Sequence, residues 1–245
     1  MSANEPAVVY PGKDLEAMSF AVKYHRWMLD EFRPFIGEDI VEVGAGSGSF
    51  SEMLLDAKPK RLSLVEPSEM FENLKLVPAK GDGKNVEINC FNAIFSTAAD
   101  EITSSKNPDT IIYINVLEHI EDDVAELELV NSSLEDGGHV LIFVPAIPLL
   151  MSDFDRSIGH FRRYRKGELE TKVKDAGFNI VKSKYFDVAG IAPWLVKYRM
   201  LGSKTMGGGA ISAYDNMVVP IMRRVESAIT PPIGKNILLV AQKKG

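Results

Sequence analysis

The sequence predicts an α/β protein with a doubly wound, mostly parallel sheet. The first observation is a short apolar segment, Ile40–Val43, that leads directly into three glycines spaced G-x-G-x-G, at Gly44, Gly46 and Gly48. The second is that further apolar runs of strand type follow, separated by segments of helical character. A strand, a glycine turn and a helix start together form a nucleotide-binding crevice in such folds.

The glycine turn also indicates which nucleotide is bound. Glycine lets the backbone bend sharply and lets a ligand lie against bare main chain. The segment Ser49–Leu55 is predicted to be a helix whose free N–H groups face the turn. A dinucleotide fingerprint, G-x-G-x-x-G, would have its third glycine at Ser49, but here the third glycine comes one residue earlier, at Gly48.

The segment Glu42–Gly48 resembles the E-x-G-x-G-x-G signature of class I S-adenosylmethionine (SAM)-dependent methyltransferases. The resemblance runs in motif order from about Gly37 to Pro145 and more loosely to the C-terminus. It implies SAM as cofactor, S-adenosylhomocysteine as product, and a Rossmann-like sheet of seven strands whose last strand is antiparallel. The cofactor contacts that it implies in this segment are those of Glu42, Gly44, Ala45, Gly46 and Gly48.

A second apolar run, Arg61–Pro67, carries Glu66 at its end, about twenty residues after the glycines. In nucleotide-binding folds of this type, an acid at the end of the second strand accepts hydrogen bonds from ribose hydroxyls. Glu66 and Pro67 are therefore predicted to contact the cofactor. The alternative is a solvated glutamate at a strand end.

The third and fourth predicted strands add further cofactor contacts. Val86–Phe91 ends at Asn92 and Ala93, where the family usually has Asp contacting the adenine amino group. An Asn oxygen can accept the same hydrogen bond, although Asn92 is also a residue that simply turns a chain. Thr110–Val116 ends with Asn115 and Val116, which the resemblance locates near the methionine part of SAM and the acceptor.

The segment Leu117–Asp123 is similar to the "N/S-V-L-E-H-I/L" segment of many small-molecule methyltransferases. His119 within it generally follows the strand into the next helix in that family, so a structural role is preferred and a catalytic role is held in reserve. Three more apolar runs complete the seven strands: Gly138–Pro145, Phe178–Phe186 and Ile237–Ala241.

We predict one domain over residues 1–245, in four parts. These are an N-terminal helical lid (1–36), a SAM-binding core (37–145), an acceptor-side loop with a helical insertion (146–235), and the final strand (236–245). A chain of 245 residues with 45% hydrophobic content can bury a full-sized core.

Composition restricts the partners and the compartment. The net charge of −6 disfavours a nucleic-acid substrate. The single cysteine, Cys90, permits no internal disulfide, and the polar start Met1–Pro6 is not of signal-peptide type, so we expect a cytoplasmic protein. No uninterrupted apolar stretch of about 18 residues predicts a membrane span. No metal ligand set is predicted.

The N-terminal lid is predicted as a helix from about Asp14 to Phe32. Five residues share one helical face and are expected to pack on the sheet or its helices: Leu15, Met18, Val22, Leu29 and Phe32. Phe20, Tyr24 and Trp27 form a second, aromatic row. Tyr24 is a candidate contact to the SAM carboxylate, and an aromatic face is a candidate neighbour of the sulfonium. Ordinary core packing is the alternative for this row.

The segment Met151–Lys166 is too polar for a core and too long for a simple connection, so we interpret it as a functional loop. Its Asp-x-x-x-Gly-His-x-Arg-Arg-Tyr run resembles a motif of a bacterial subset of these methyltransferases. His160 is the candidate general base, and Arg162, Arg163 and Tyr164 are candidate contacts to the acceptor. The alternative is a surface loop tied down by aspartate–arginine pairs and followed by a helix from Lys166.

A third segment, Pro193–Arg224, is more apolar than a solvent-facing insertion. It is a candidate cap over a hydrophobic acceptor, a dimer seam or a membrane-surface contact, with packing on the domain as the default. Pro220 predicts that any helix there bends or restarts.

Together these patterns predict a SAM-dependent methyltransferase that acts on an oxygen or nitrogen atom of a small-molecule acceptor, either anionic or partly hydrophobic. The protein is expected to be a monomer or homodimer, with peripheral membrane contact as an open alternative. Two rival classes remain: a catalytically silent SAM-binding regulatory protein and an NAD(P)-dependent oxidoreductase.

Overall fold

The computed structural model describes residues 21–77, 86–203, 205 and 207–245. A seven-stranded sheet in the order β3-β2-β1-β4-β5-β7-β6 forms its centre. The strands are β1 (Asp39–Val43), β2 (Arg61–Val65), β3 (Glu87–Phe91), β4 (Thr110–Ile114), β5 (His139–Pro145), β6 (Phe178–Phe186) and β7 (Asn236–Lys243).

Strands β1 to β5 run parallel, and β7 runs antiparallel between β5 and β6. Because β7 is antiparallel to both of its neighbours, β6 runs in the same direction as β1 to β5. The carboxyl ends of β1 to β6 therefore lie at one edge of the sheet, as in other doubly wound folds. This confirms the predicted seven-stranded, mostly parallel sheet and its antiparallel last strand.

The central strands bury both of their faces, which explains why they are apolar without alternation. Ile40, Ile112 and Leu141 point into one hydrophobic cluster, and their neighbours Val41 and Ile111 point into the other. Two separate cores therefore sandwich the sheet, and each is closed by its own set of helices.

Helices cover the two faces of this sheet. Their bounds in the described residues are α1 (Val22–Phe32), α2 (Ser49–Leu54), α3 (Phe71–Leu74), α4 (Phe95–Thr103), α5 (Asp123–Ser133), α6 (Asp153–Ser157), α7 (Lys166–Asp175), α8 (Ile191–Trp194), α9 (Gly208–Met217) and α10 (Val219–Ala228). Short 3-10 turns occur at 33–35, 55–57, 117–119 and 148–150, and π-helical turns at 195–200 extend α8. Helices α1, α2, α3 and α10 contribute to one core and α4, α5 and α7 to the other.

Local capping residues explain where several helices begin. Gly48 precedes α2 with φ of 85°, a conformation that glycine adopts without strain. The carboxylate of Asp122 accepts a hydrogen bond from the amide of Ala125 at the start of α5. At α6, Ser152 and Asp155 form a reciprocal capping box.

The C-terminal helical segment restarts at its proline, as predicted. Helix α9 ends at Met217, and α10 begins at Val219 with Pro220 in its first turn, where the missing N–H of proline costs no hydrogen bond. Throughout the described ranges, no helix combines the length and the apolar character that a membrane crossing needs.

The buried face of the N-terminal helix differs from the prediction at Val22, which was expected to pack on the sheet but has 52% of its surface exposed. Leu29 and Phe32 are buried as predicted. Tyr24 and Trp27 lie in the core beside them, which is the core-packing alternative for the aromatic row. The sequence pattern was ambiguous because apolar residues occupy two adjacent stripes, and the larger aromatic stripe buries more area. Leu15, Met18 and Phe20 lie outside the described residues.

Replacing Trp27 with alanine tests this orientation of α1. Its ring packs against Phe186 with centroids 3.9 Å apart and is 1% exposed. We expect Trp27→Ala to lower the free energy of unfolding by about 3–5 kcal/mol, because the core cannot collapse around a cavity of that size. Val22→Ala on the exposed face of the same helix should change it by no more than about 0.5 kcal/mol. Urea denaturation measures both, and equal losses would refute the orientation.

Candidate active site

The glycine turn joins the carboxyl end of β1 to α2. The amides of Gly44 and Ala45 both donate to the carbonyl oxygen of Val65, at 2.8 and 3.1 Å. Gly44, with φ of 69°, is also packed closely, because a Cβ there would lie 2.3 Å from Cγ2 of Val116. The turn is therefore fixed against the ends of both neighbouring strands, β2 and β4.

Glu66 links the second strand to the glycine turn. Its carboxylate accepts a hydrogen bond from the amide of Gly46 at 2.7 Å and another from the amide of Ser68 at 2.9 Å. A carboxylate offers about four acceptor positions, so two remain for hydroxyl groups of a ligand. The acid and the glycines, twenty residues apart in sequence, therefore form one polar unit at the edge of the sheet.

Glu42 lies beneath this turn and is almost completely buried. The hydroxyl of Ser51 donates to its carboxyl group at 2.5 Å. The pKa of Glu42 is raised to about 8. Burial is the main cause; the hydrogen bond from Ser51 opposes it, and the nearby charge of Glu66 adds to it. Glu42 is therefore protonated at neutral pH and supports the turn from below.

The remaining predicted cofactor residues lie along the same edge. Pro67 and Ala93 are half-buried, and the side chain of Asn92 is exposed beside them at the ends of β2 and β3. Asn115 has φ of 53°, an uncommon conformation for a non-glycine residue that Asn tolerates well, and its amide donates to the carbonyl of Phe143 at 2.8 Å. Val116 follows it against Gly44.

Tyr24 does not present a free hydroxyl to this edge. Its ring packs edge-on against Phe143 and Phe186, and its hydroxyl donates to Asp187 at 3.2 Å. Burial raises the pKa of Tyr24, and the charge of Asp187 raises it further. The contact to the SAM carboxylate stays a prediction that this arrangement does not favour.

Asp155 organises the segment Met151–Lys166, which we call the acceptor-side segment after its predicted role. Its carboxylate accepts hydrogen bonds from Nδ1 of His160 at 3.1 Å and from Nε of Arg163 at 2.9 Å, and it also caps Ser152. Burial alone would raise the pKa of Asp155, but the hydrogen bond from His160 and the charge of Arg163 outweigh it and lower the pKa to about 2. The segment is thus anchored by a buried, charged network.

Asp123 is a second anchor for the same segment. It accepts a hydrogen bond from the hydroxyl of Tyr164 at 2.7 Å and forms ion pairs with Arg162 at 2.8 Å and with Lys172 at 2.7 Å. The side chains of Tyr164 and Arg163 are both almost fully buried. Their assignment to acceptor binding stays a prediction that this arrangement does not favour, because their polar groups already have partners within the chain.

The two candidate catalytic histidines lie together. The rings of His119 and His160 are nearly perpendicular, with centroids 4.6 Å apart. The pKa of His119 is lowered to about 3, mainly by burial and also by the neighbouring His160. The side chain of His160 is 8% exposed and lies between Asp155 and Glu118. A general base needs a ring nitrogen that faces the acceptor, so the catalytic role of either histidine stays a prediction that this arrangement does not favour.

A cavity of about 160 Å³ lies at the carboxyl end of β6, and the sequence reasoning missed it. Four aromatic side chains contribute to its wall, and two lysines also line it. Its lining includes Tyr24, Trp194, Tyr198, Tyr214, Lys197 and Lys235. The only signal in the sequence was the apolar, aromatic character of the segment that begins at Pro193. Neither Tyr214 nor Lys235 carried a recognisable motif.

The fold and this edge define the class of protein: an α/β protein of nucleotide-binding type, with a glycine turn after the first strand and an acid after the second. The family is then shown by a match between residues 23–183 and the family described as Methyltransferase domain. The chain belongs to this family and is a methyltransferase, and SAM is the methyl donor that this assignment implies. A search of curated proteins found no match.

Solved structures show the same fold at low sequence identity. The chain is similar to a methyltransferase from Haloferax volcanii solved in complex with the Trm112 methyltransferase activator (TM-score 0.61, 16% identity, covering 97% of this chain and 98% of that one). It is also similar to a SAM-dependent methyltransferase from Archaeoglobus fulgidus (TM-score 0.61, 17% identity, 94% and 99%). A third, from Mesorhizobium loti, is also SAM-dependent (TM-score 0.56, 14% identity, 89% and 98%).

Stability should depend on pH through Glu42. Its pKa is about 4.5 as an ordinary carboxyl and about 8 when folded, so the folded state holds the proton more tightly. The stabilisation that the raised pKa of Glu42 gives to the folded state is fully present below pH 4.5 and is lost as pH rises to about 8. We expect the unfolding free energy of Glu42→Gln, measured in urea between pH 5 and 8.5, to lack this decline. Glu69→Gln, at an exposed position, should keep it. A decline in Glu42→Gln equal to that of the wild type would contradict the buried, protonated carboxyl.

Binding of SAM should depend on the carboxylate of Glu66. A glutamine there has only one acceptor oxygen, so its NH2 group would oppose the amide of Gly46 or of Ser68. Hydrogen bonds to a charged group contribute about 1.5–3 kcal/mol, so Glu66→Gln should weaken SAM binding about tenfold to a hundredfold in isothermal titration. Glu69→Gln is the matched control. Wild-type affinity in Glu66→Gln would remove this residue from the cofactor site.

Proposed function

We propose that this chain transfers the methyl group of SAM to an oxygen or nitrogen atom of a small acceptor that has a flat apolar body and an anionic group. The observation that carries this proposal is the aromatic cavity at the carboxyl end of β6. Because β6 runs in the same direction as β1, the cavity lies at the same edge of the sheet as the glycine turn. Ligands of open α/β sheets bind at this edge.

The proposed SAM site fits the residues that are present. The carboxylate of Glu66 retains acceptor positions for ribose hydroxyls, and Gly44, Gly46 and Gly48 adopt positive φ angles that glycine tolerates without strain. We assign Glu42 a supporting role beneath the turn. Asn92, Ala93, Pro67, Asn115 and Val116 complete the proposed contacts along the ends of the strands.

The walls of the cavity support an acceptor with a flat apolar body. The rings of Trp194 and Tyr198 lie 4.4 Å apart, and the ring of Tyr24 closes the cavity toward the core. An engineered protein cavity of about 150 Å³ holds a benzene molecule, so a volume of about 160 Å³ suits a single ring.

The two lysines support an anionic group on the acceptor. Lys235 is already paired with Asp187 at 3.3 Å. Lys197 has no carboxylate within 4 Å in the part of the chain that the structure describes, and its ammonium lies 5.1 Å from the centre of the Tyr198 ring. We therefore assign Lys197 to the acceptor's negative charge.

The acids at the cavity are already engaged. Both oxygens of Asp215 accept backbone amides at the start of α1, at 2.9 and 2.8 Å. Asp187 accepts hydrogen bonds from the hydroxyls of Tyr24 and Tyr214. No carboxylate that lines or adjoins the cavity in the described residues is thus available to take a proton. A carboxylate oxygen or a neutral amine as methyl acceptor fits this wall better than a hydroxyl, which would need a base.

The mechanism follows from this arrangement. Bound SAM supplies a methyl group that is already activated for transfer. The chain's own residues have to bind the acceptor, orient its lone pair and exclude water, and such proximity is worth about 7–11 kcal/mol when the geometry is good. Residues 37–145 would hold the cofactor and residues 146–235 the acceptor, as the predicted division of the domain has it.

The exposed surface of the C-terminal helices supports a proposal on partners. Four apolar side chains follow each other at intervals of four residues and are 46–71% exposed: Met217, Ile221, Val225 and Ile229. Such a stripe suits either the seam of a homodimer or a shallow peripheral contact with a membrane. A cytoplasmic monomer or homodimer remains our proposal, and sedimentation with and without lipid vesicles distinguishes the alternatives.

The acceptor assignment predicts a selective effect of Lys197. With radiolabelled SAM and a panel of small aromatic carboxylates and amines, we expect transfer to an anionic member. Lys197→Met should then raise the KM for that acceptor about tenfold or more, because a charge-assisted contact is lost, while SAM affinity stays unchanged. Arg199→Met, an exposed cation on the same π-helical turns, is the matched control.

Two outcomes would contradict the proposal. Equal KM values for Lys197→Met and Arg199→Met would remove the anionic contact from this cavity. No transfer to the panel or to any small-molecule fraction of a cell extract, despite tight SAM binding, would favour the silent SAM-binding protein. The NAD(P)-dependent oxidoreductase is already disfavoured by the family assignment.

A further inference from the structure

Glu118 is a buried carboxylate without a satisfactory partner. It lies in the turn Leu117–His119 that follows β4, and its side chain is fully buried. Neither of its two oxygens has a hydrogen-bond partner among the described residues. Burial raises the pKa of Glu118 to about 7, against the opposing charge of His160. Buried carboxylates are ordinarily hydrogen-bonded, paired or bound to a metal, so these two unpartnered oxygens are candidate ligands for a cation.

His160 faces this carboxylate with a lone pair. Its Nδ1 is held by Oδ1 of Asp155 at 3.1 Å, and its Nε2 lies 3.8 Å from Oε1 of Glu118. In the neutral ring, a proton on Nδ1 directed at Asp155 leaves the lone pair on Nε2, on the side of Glu118. The same carboxylate–histidine arrangement orients histidine ligands in metal sites.

His119 completes a set of three ligands. One hydrogen bond of its ring goes to the backbone of Gly159, and its ligating nitrogen lies within 4.8 Å of those of Glu118 and His160. Tetrahedral zinc sites with bonds of about 2.0–2.1 Å have ligand atoms roughly 3.4 Å apart. Side-chain rotations that move the ligand atoms by on the order of 1 Å would therefore bring all three to coordination distance.

We propose that Glu118, His119 and His160 bind a divalent transition-metal ion of the zinc type. Two imidazoles and one carboxylate are ligands that zinc accepts, and three protein ligands leave a fourth position open. The nearby cation Arg163 does not oppose the ion strongly, because Asp155 pairs with it at 2.7 Å. The site is independent of the acceptor assigned above.

The position of this site gives it a role in the architecture of the active site. Glu118 and His119 follow the end of β4, two and three residues after Val116, which contacts Gly44 of the glycine turn. His160 belongs to the acceptor-side segment. A bound ion would thus tie the acceptor-side segment to the strand end that supports the cofactor turn.

The test is metal binding by the full-length chain without SAM or acceptor. After treatment with a chelator and dialysis, isothermal titration with Zn²⁺ should give about one equivalent, and Co²⁺ should give the visible absorption of a tetrahedral site. Glu118→Gln and His160→Asn should each weaken Zn²⁺ binding about a hundredfold or more, because each removes a ligand. Glu128→Gln, on exposed helix surface, and His139→Asn, at the opposite end of β5, are matched controls that should bind as the wild type does.

Folding of the variants is checked by circular dichroism and by retained SAM affinity. Glu118→Gln keeps the shape of the side chain and removes the unpartnered charge, so it should fold and lose only the thermal stabilisation that Zn²⁺ gives the wild type. No stoichiometric Zn²⁺ binding by the wild type would overturn the proposal. A proton shared between His160 and Glu118 would then take the place of the metal ion. Unchanged binding by Glu118→Gln and His160→Asn would overturn it as well.

Discussion

The hydrogen bonds from the amides of Gly46 and Ser68 to the carboxylate of Glu66 are the interaction on which the rest of the site depends. The bond from Gly46 joins the glycine turn after β1 to the end of β2, and the bond from Ser68 holds the carboxylate of Glu66 in place for it. A parallel sheet brings these strand ends to one edge, but only an acceptor with several lone pairs can hold two amides there and still receive a ligand's hydroxyls. The proposed cofactor contacts and the cavity at the carboxyl end of β6 lie at this same edge.

The acceptor side of the molecule is held by buried charges. Asp155 fixes His160 and Arg163, and Asp123 fixes Arg162 and Tyr164. Removal of one partner from such a network leaves an uncompensated charge, which is far more destabilising than the loss of an exposed ion pair. The polar motif of this segment is therefore explained first by the buried ion pairs and hydrogen bonds that fix the position of the segment.

The sequence was sufficient for the sheet and for the cofactor edge, because both depend on local signals. Apolar runs, glycines at fixed spacing and an acid at a strand end are short-range features, and each strand begins and ends within two residues of its predicted bounds. The partners of polar side chains could not be predicted in this way. Whether Arg163 faces a ligand or Asp155 depends on how α6 packs, and the choice between the stripes of Val22 and Tyr24 depended on the tertiary core.

The cavity proposed for the acceptor could not be predicted from the sequence, since its wall combines α1, α8, α9 and Lys235 just before β7, which are distant in the chain. The measurement that tests the account most directly is a crystal structure with S-adenosylhomocysteine. The account predicts the ribose on the carboxylate of Glu66, the main chain of residues 44–48 against the ligand, and the sulfur directed toward the side of the cavity lined by Tyr24. A ligand bound away from the turn, or a ribose that does not touch Glu66, would contradict it.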